Sequence, residues 1–238
     1  MHYIVYNRSI YAGFEKGVCM KNKLAFTLAE VLVTLGIIGV VSAMTVPTLM
    51  QNYQRQSYVT QLHKTYNEIS QALLRYQTDR NAINLSEAGL SSQDAVNNFI
   101  TTYFKNVKEC DTMNNCFASS YKAMDGGTIN NYSANVKSYV FASGVSIRPL
   151  YAKSGAKLIN MGIDINGQKG PNIGGRDLFW FYVYNNGVID DAPIDANTVA
   201  PMTTEQRNTQ YNAKCLNHEG SPDGCLGKIL NDNWQMTY

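Results

Sequence analysis

Residues 31–50 read VLVTLGIIGVVSAMTVPTLM, twenty positions without a charge. As a helix this run spans about 30 Å, enough to cross a hydrocarbon core. Lys21 and Lys23 lie just before it, with Arg8 and Lys16 further upstream. Beyond it no charge occurs until Arg55, and Lys64 follows. That bias puts the N-terminus in the cytoplasm and the bulk of the chain on the far side. A secretory signal peptide is the plainer alternative. Three features weigh against it. The run exceeds the 7–15 residues of a signal-peptide core. Helix-compatible polar sequence follows without a loop. Glu30 sits at the membrane entrance. A carboxylate within a spanning segment is costly, less so near its end. It either snorkels to the headgroups or meets a positive partner.

Lys21-Asn22-Lys23-Leu24-Ala25 followed by Phe26-Thr27-Leu28-Ala29-Glu30 resembles the prepilin leader of type IV pilins and type II secretion pseudopilins. The resemblance covers residues 21–50 and is loose beyond them. It implies cleavage between Ala25 and Phe26 by prepilin peptidase, then N-methylation of Phe26. The family's membrane glutamate falls on Glu30 and its helix proline on Pro47. The family's usual glycine before the cut is Ala25 here. The resemblance further implies an inner-membrane precursor, later drawn by an assembly platform into a pilus or periplasmic pseudopilus with other subunits. In such a filament Glu30 would neutralise the Phe26 amine of a neighbour and set axial register. A leader of residues 1–25 follows if Met1 starts translation. Met20 offers a second start with the leader MKNKLA, and Cys19 plus four aromatic residues make positions 1–19 unlike an ordinary leader.

Apolar periodicity continues past the membrane run. Leu62, Tyr66, Ile69, Leu73 and Tyr76 recur every three or four residues, a one-faced helical stripe. The spacing predicts one helix from about 26 to 78, apolar all round over 26–50 and amphipathic over 51–80. Gly36, Gly39 and Ala43 offer small surfaces on which helices approach closely. Pro47 removes a backbone donor and is expected to kink or loosen the helix.

The remainder, 81–238, reads as an extracytoplasmic α+β domain. A capping signal at Ser91-Ser92-Gln93-Asp94 predicts a helix over 92–107. A glycine-containing loop is expected to about 136. Strands are expected at 139–142, 145–149 and 159–165, with 178–184 (LFWFYVY) as a central strand and Asn186-Gly187 as a type I′ turn. Residues 192–214 read as loop, and Leu226, Ile229, Leu230 and Trp234 as a last helical turn or two. The predicted fold is α+β: a long N-terminal helix packed on a small antiparallel sheet, similar to the pilin architecture. Export predicts disulfides. Locality favours Cys110–Cys116 and Cys215–Cys225 among three pairings, with free buried thiols as the alternative.

Weaker signals are few. Asp164, Asn166, Asn172 and Asp177 lie in an oxygen-rich stretch that Ca²⁺ would suit. The bland reading, a tight connection between strands, is preferred, so no cofactor is expected. His2, His63 and His218 share no metal-site spacing, and no nucleophile elbow or phosphate loop occurs. From Phe26 onward sixteen Lys and Arg face seventeen Asp and Glu, which gives no reason to expect nucleic-acid binding. An enzyme is not expected. The expected role is a structural filament subunit; the alternative is a membrane-anchored binding or adhesion module that never polymerises.

Overall fold

The computed structural model describes residues 26–130, 135–216 and 221–238. The leader positions, Ala25 and Cys19 among them, lie outside the described residues, as does His218. The chain divides into two compact units, one ending at Thr48 and the other comprising Leu49–Tyr238.

Helix α1 runs Leu28–Asp79. The part to Thr48 is exposed throughout, and its apolar surface covers nothing in its own unit. From Val59 onward one face is buried: Val59, Leu62, Thr65, Ile69, Ala72, Leu73 and Tyr76. Tyr66 is half-buried and its hydroxyl donates to the Ile189 carbonyl at 3.1 Å. The helix stops in a Schellman motif. Asn81 takes a left-handed conformation, φ 50°, and the amides of Asn81 and Ala82 donate back to the carbonyls of Thr78 and Gln77.

Helix α2 spans Gln93–Tyr103, with the Ser92 side chain accepting the Ala95 amide as its cap. It ends four residues sooner than the periodicity suggests. Phe104 is extended and its ring stacks on Phe141, 4.7 Å between centroids. The chain then enters strand β1, Asn106–Cys110, where Val107 is 63% exposed. Apolar spacing alone does not distinguish a helix from a strand that leaves a helix, and tertiary pairing decides it. The stretch expected as loop to 136 holds a small hairpin, β2 (Tyr121–Lys122) and β3 (Thr128–Ile129).

The main sheet adds β4 (Ser138–Phe141), β5 (Ser146–Ser154), β6 (Lys157–Asp164), β7 (Leu178–Tyr184) and β8 (Ile189–Asp190). Its order is β1-β4-β5-β6-β7-β8, antiparallel throughout. The β7–β8 connection is not type I′. Asn186 keeps a negative φ and only Gly187 is positive, φ 83°. The Gly187 amide donates to Tyr184, and the Tyr184 amide to Val188. This is a type I turn closed by a left-handed glycine. The β4–β5 turn repeats it with Gly144, φ 88°.

Both sheet faces are buried. Ile159, Met161, Ile163, Phe179, Phe181 and Val183 join the α1 stripe and α2 in one core. The opposite face, Leu178, Trp180, Tyr182 and Tyr184, joins Cys110, Cys116, Phe117, Tyr121 and Ile129 in a second. The alternate aromatics of β7 each donate to a covering segment: Trp180 Nε1 to Ser221 Oγ at 2.9 Å, the Tyr182 hydroxyl to Asp223 at 2.6 Å, and the Tyr184 hydroxyl to the Asp191 carbonyl at 2.9 Å. A ring that is both large and a donor suits a strand closed on its second side by polar loops.

Residues 192–214 are not loop throughout. Helix α3, Thr204–Gln210, starts in a capping box between Thr203 and Gln206, and a π-helical turn, Tyr211–Cys215, follows. Helix α4 is Cys225–Asn231. Trp234 lies beyond it at φ 60° and stacks on His63, 4.0 Å between centroids. The start of α4 has no side-chain cap of its own; Asp191 of the β8 end accepts the Gly224 and Gly227 amides at 2.7 and 2.5 Å. Beside it, Arg207 of α3 grips Asp190 through two bonds, 2.9 and 2.7 Å. Two consecutive aspartates thus hold both C-terminal helices to the sheet edge.

Gly162 opposes Trp180 across β6 and β7. A Cβ there would meet Trp180 Cζ3 at 2.2 Å. Gly162→Ala is expected to lower unfolding stability by about 1–3 kcal/mol, read as a reduced denaturant midpoint. An unchanged midpoint would show that the second core is not packed as described.

Candidate functional site

The N-terminal candidates sit at the start of α1. Phe26 is 85% exposed. Glu30 does more than stand at a membrane entrance. Its carboxylate accepts the Thr27 amide at 2.9 Å and the Thr27 hydroxyl at 3.0 Å, while Thr27 Oγ1 accepts the Glu30 amide at 3.2 Å. That is a reciprocal capping box, and its T-x-x-E signature is legible in Thr27-Leu-Ala-Glu30. It satisfies amides that a helix start in a dry environment otherwise leaves bare. Glu30 therefore has hydrogen-bond partners within its own chain, although these neutral donors leave its charge in place.

Further along, Gly36, Gly39, Ala43 and Pro47 recur at three, four and four residues, so one side of the helix carries all four. A Cβ on Gly36 or Gly39 meets nothing within 4 Å, leaving a shallow open track. Helix α1 continues through Pro47, and the boundary between the two units falls one residue later. Leu35, Ile38 and Met44 on other sides are also exposed, and Leu32 extends the same side by one turn. One stretch of α1 is long and apolar enough to cross a membrane.

The oxygen-rich loop between β6 and β7 is built differently. Asp164 Oδ2 accepts the Tyr121 hydroxyl at 2.5 Å, and Oδ1 accepts the Asn166 amide at 3.1 Å. Asp177 accepts the amides of Asn172 and Ile173 at 2.7 and 2.6 Å, and Asn166 Nδ2 donates to the Gly170 carbonyl at 3.2 Å. Both carboxylates thus face hydrogen-bond donors, which a cation would have to displace. The Oδ1 atoms of Asn166 and Asn172 are buried without a hydrogen-bond partner. Among the described residues no group of three or more His, Cys, Asp or Glu is placed to hold a metal. Asp164, Asn166 and Asp177 fasten the turn through these bonds, and Asn172 takes part through its backbone amide.

Two disulfides brace this region. Cys110–Cys116 closes the end of β1, and Cys215–Cys225 joins the π-helical turn to α4. Gly175, φ 79°, lies so close to the second that a Cβ would meet Cys225 Sγ at 2.8 Å. The Tyr238 hydroxyl donates to the Gly175 carbonyl at 3.0 Å, closing the C-terminus over the same loop.

Burial pushes the Asp164 carboxyl up to about 8, against the hydrogen bond from Tyr121. It pushes Asp191 up to about 7, against the Gly227 and Gly224 amides. Each carboxyl holds a proton in the folded chain that the unfolded chain releases above the ordinary value of 3.8. The contribution of these two carboxyls to stability is therefore greatest at the acid end of this window and falls as the pH rises from about 4 to about 8. Asp164→Asn should make that decline shallower, measured as denaturant midpoints at several pH values. An identical slope in the variant would remove Asp164 from the titration.

A family profile described as "Prokaryotic N-terminal methylation motif" matches residues 20–46. No curated protein and no solved structure matches the chain. The chain carries a prepilin-type N-terminal methylation motif, consistent with membership of the type IV pilin and pseudopilin family. The long helix on a small antiparallel sheet matches the α+β fold of pilins. Proteins of that family are structural rather than catalytic.

Proposed function

We propose that the chain is a structural subunit of a type IV pilus or a type II secretion pseudopilus. It is inserted through residues 26–50 with its N-terminus in the cytoplasm. Prepilin peptidase cleaves the leader, residues 1–25, between Ala25 and Phe26 and methylates Phe26. Residues 51–80 continue the helix onto the extracytoplasmic domain, 81–238. An assembly platform in the inner membrane then brings the subunit together with others of its kind. The observation that carries this reading is the methylation motif over residues 20–46, on a helix whose apolar surface is exposed as far as Thr48. About 25 cal/mol is gained per Å² of such surface removed from water. In a bilayer lipid covers it; outside one, copies of the same helix do.

Glu30 has a double role in this reading. Within one chain it caps the helix through Thr27. In the filament the same carboxylate takes the methylated Phe26 amine of the next subunit, and the two opposite charges neutralise each other within the apolar core. Misregistered subunits would leave a charge unpaired, which is strongly unfavourable in such surroundings. The track of Gly36, Gly39 and Ala43 lets helices approach closely.

Glu30→Val is expected to stay in the membrane fraction while its incorporation into sheared filaments falls by about tenfold or more. Thr27→Val, which removes the hydroxyl but keeps the carboxylate, should incorporate far better than Glu30→Val. Normal incorporation of Glu30→Val would contradict assembly through this carboxylate, and equal loss in both variants would assign the effect to helix capping alone.

A further inference from the structure

On the Leu49–Tyr238 unit, α1 and the β6–β7 loop border a groove lined by Gln51, Gln54, Arg55, Tyr58, Pro171 and Arg176. Two of its side chains are cationic and none is acidic. Neither Arg55 nor Arg176 lies within 4 Å of a carboxylate oxygen among the described residues, and Arg55 Nε is buried with no acceptor. The nearby Asp177 carboxylate is occupied by the backbone amides of Asn172 and Ile173. Elsewhere in the domain a buried carboxylate beside an arginine is gripped by it, as Asp190 is by Arg207. An arginine pair left without an anion, in a groove with amide and hydroxyl donors, has the composition of a phosphate-binding site.

Position in the chain says which phosphate. Arg55 follows the last residue of the uncharged run, Met50, by five positions of helix. At 1.5 Å per residue that is about 7.5 Å, and the headgroup region on each side of a bilayer is about 5–8 Å deep. Gln51 and Gln54 occupy the same interval. We propose that Arg55 and Arg176 bind the phosphate of an anionic phospholipid on the extracytoplasmic face of the membrane. This rests on the membrane-inserted reading of residues 31–50. Arg55 reaches the phosphate from the helix and Arg176 from the loop, so one lipid bridges α1 and the β6–β7 loop while the subunit waits in the bilayer. Leaving the bilayer for a filament exchanges that contact for another.

The test uses the full chain in detergent micelles doped equally with phosphatidylglycerol and phosphatidylcholine, with retained lipid counted by native mass spectrometry. The wild type should retain phosphatidylglycerol in preference. Arg55→Gln and Arg176→Gln should each reduce that preference by about fivefold, and the double variant should reach parity. The double lysine variant, which keeps the charge without the fork, should keep part of the preference and guards against a folding defect. Parity in the wild type, or an unchanged preference in the double glutamine variant, would overturn the proposal. So would displacement of the lipid by millimolar inorganic phosphate, which would make the groove a site for free anions. Carbonate extraction of membranes from cells that make the full chain reads the premise separately: release of the wild type would overturn both readings, whereas retention without lipid preference in the micelles would overturn only this one.

Discussion

Strand β7 is buried on both sides, and the domain is organised around that constraint. Phe179, Phe181 and Val183 face the core shared with the α1 stripe, and Tyr66 of α1 meets Phe181 edge-on at 6.0 Å. Trp180, Tyr182 and Tyr184 face the other way and carry polar atoms that need partners. The covering segments supply them at Ser221, Asp223 and Asp191. Those segments are short and polar, so they need fixing in turn: Cys215–Cys225, the Asp191 cap of α4 and the Arg207–Asp190 grip provide it. The amphipathic half of α1 is thus used up by its own domain. The exposed half to Thr48 has no such partner in its unit, and that asymmetry is the driving force of the proposed assembly.

Much of this is legible in the residues, for identifiable reasons. The membrane run shows itself through composition alone, and the stripe from Leu62 to Tyr76 through strict three–four spacing. LFWFYVY allows no exposed face, so a central strand follows directly. The resemblance at Phe26-Thr-Leu-Ala-Glu30 lies in a contiguous motif, the kind of signal a single sequence preserves best.

What stays hidden depends on distant partners. Phe104 and Val107 keep helical spacing, yet stacking on Phe141 and pairing with β4 draw the chain into a strand. Asp191 caps a helix more than thirty residues away, and no local pattern announces it. Arg55 and Arg176 share a groove only because the β6–β7 loop folds back onto α1. Two further features carry a local signature that apolar periodicity does not register: Thr203-Thr-Glu-Gln206 and Thr27-Leu-Ala-Glu30 are both capping boxes by sequence. The second alters the chemistry of the candidate site, since it gives Glu30 a role inside one chain before any neighbour arrives.

The most direct measurement is the mass of the N-terminal peptide from membrane and sheared-surface fractions, with and without prepilin peptidase. A filament subunit should yield a peptidase-dependent peptide beginning at N-methylated Phe26, present in the sheared fraction. A chain that keeps its leader in the presence of the peptidase, or is cut elsewhere, would contradict the filament reading and leave a membrane-anchored or secreted domain in its place.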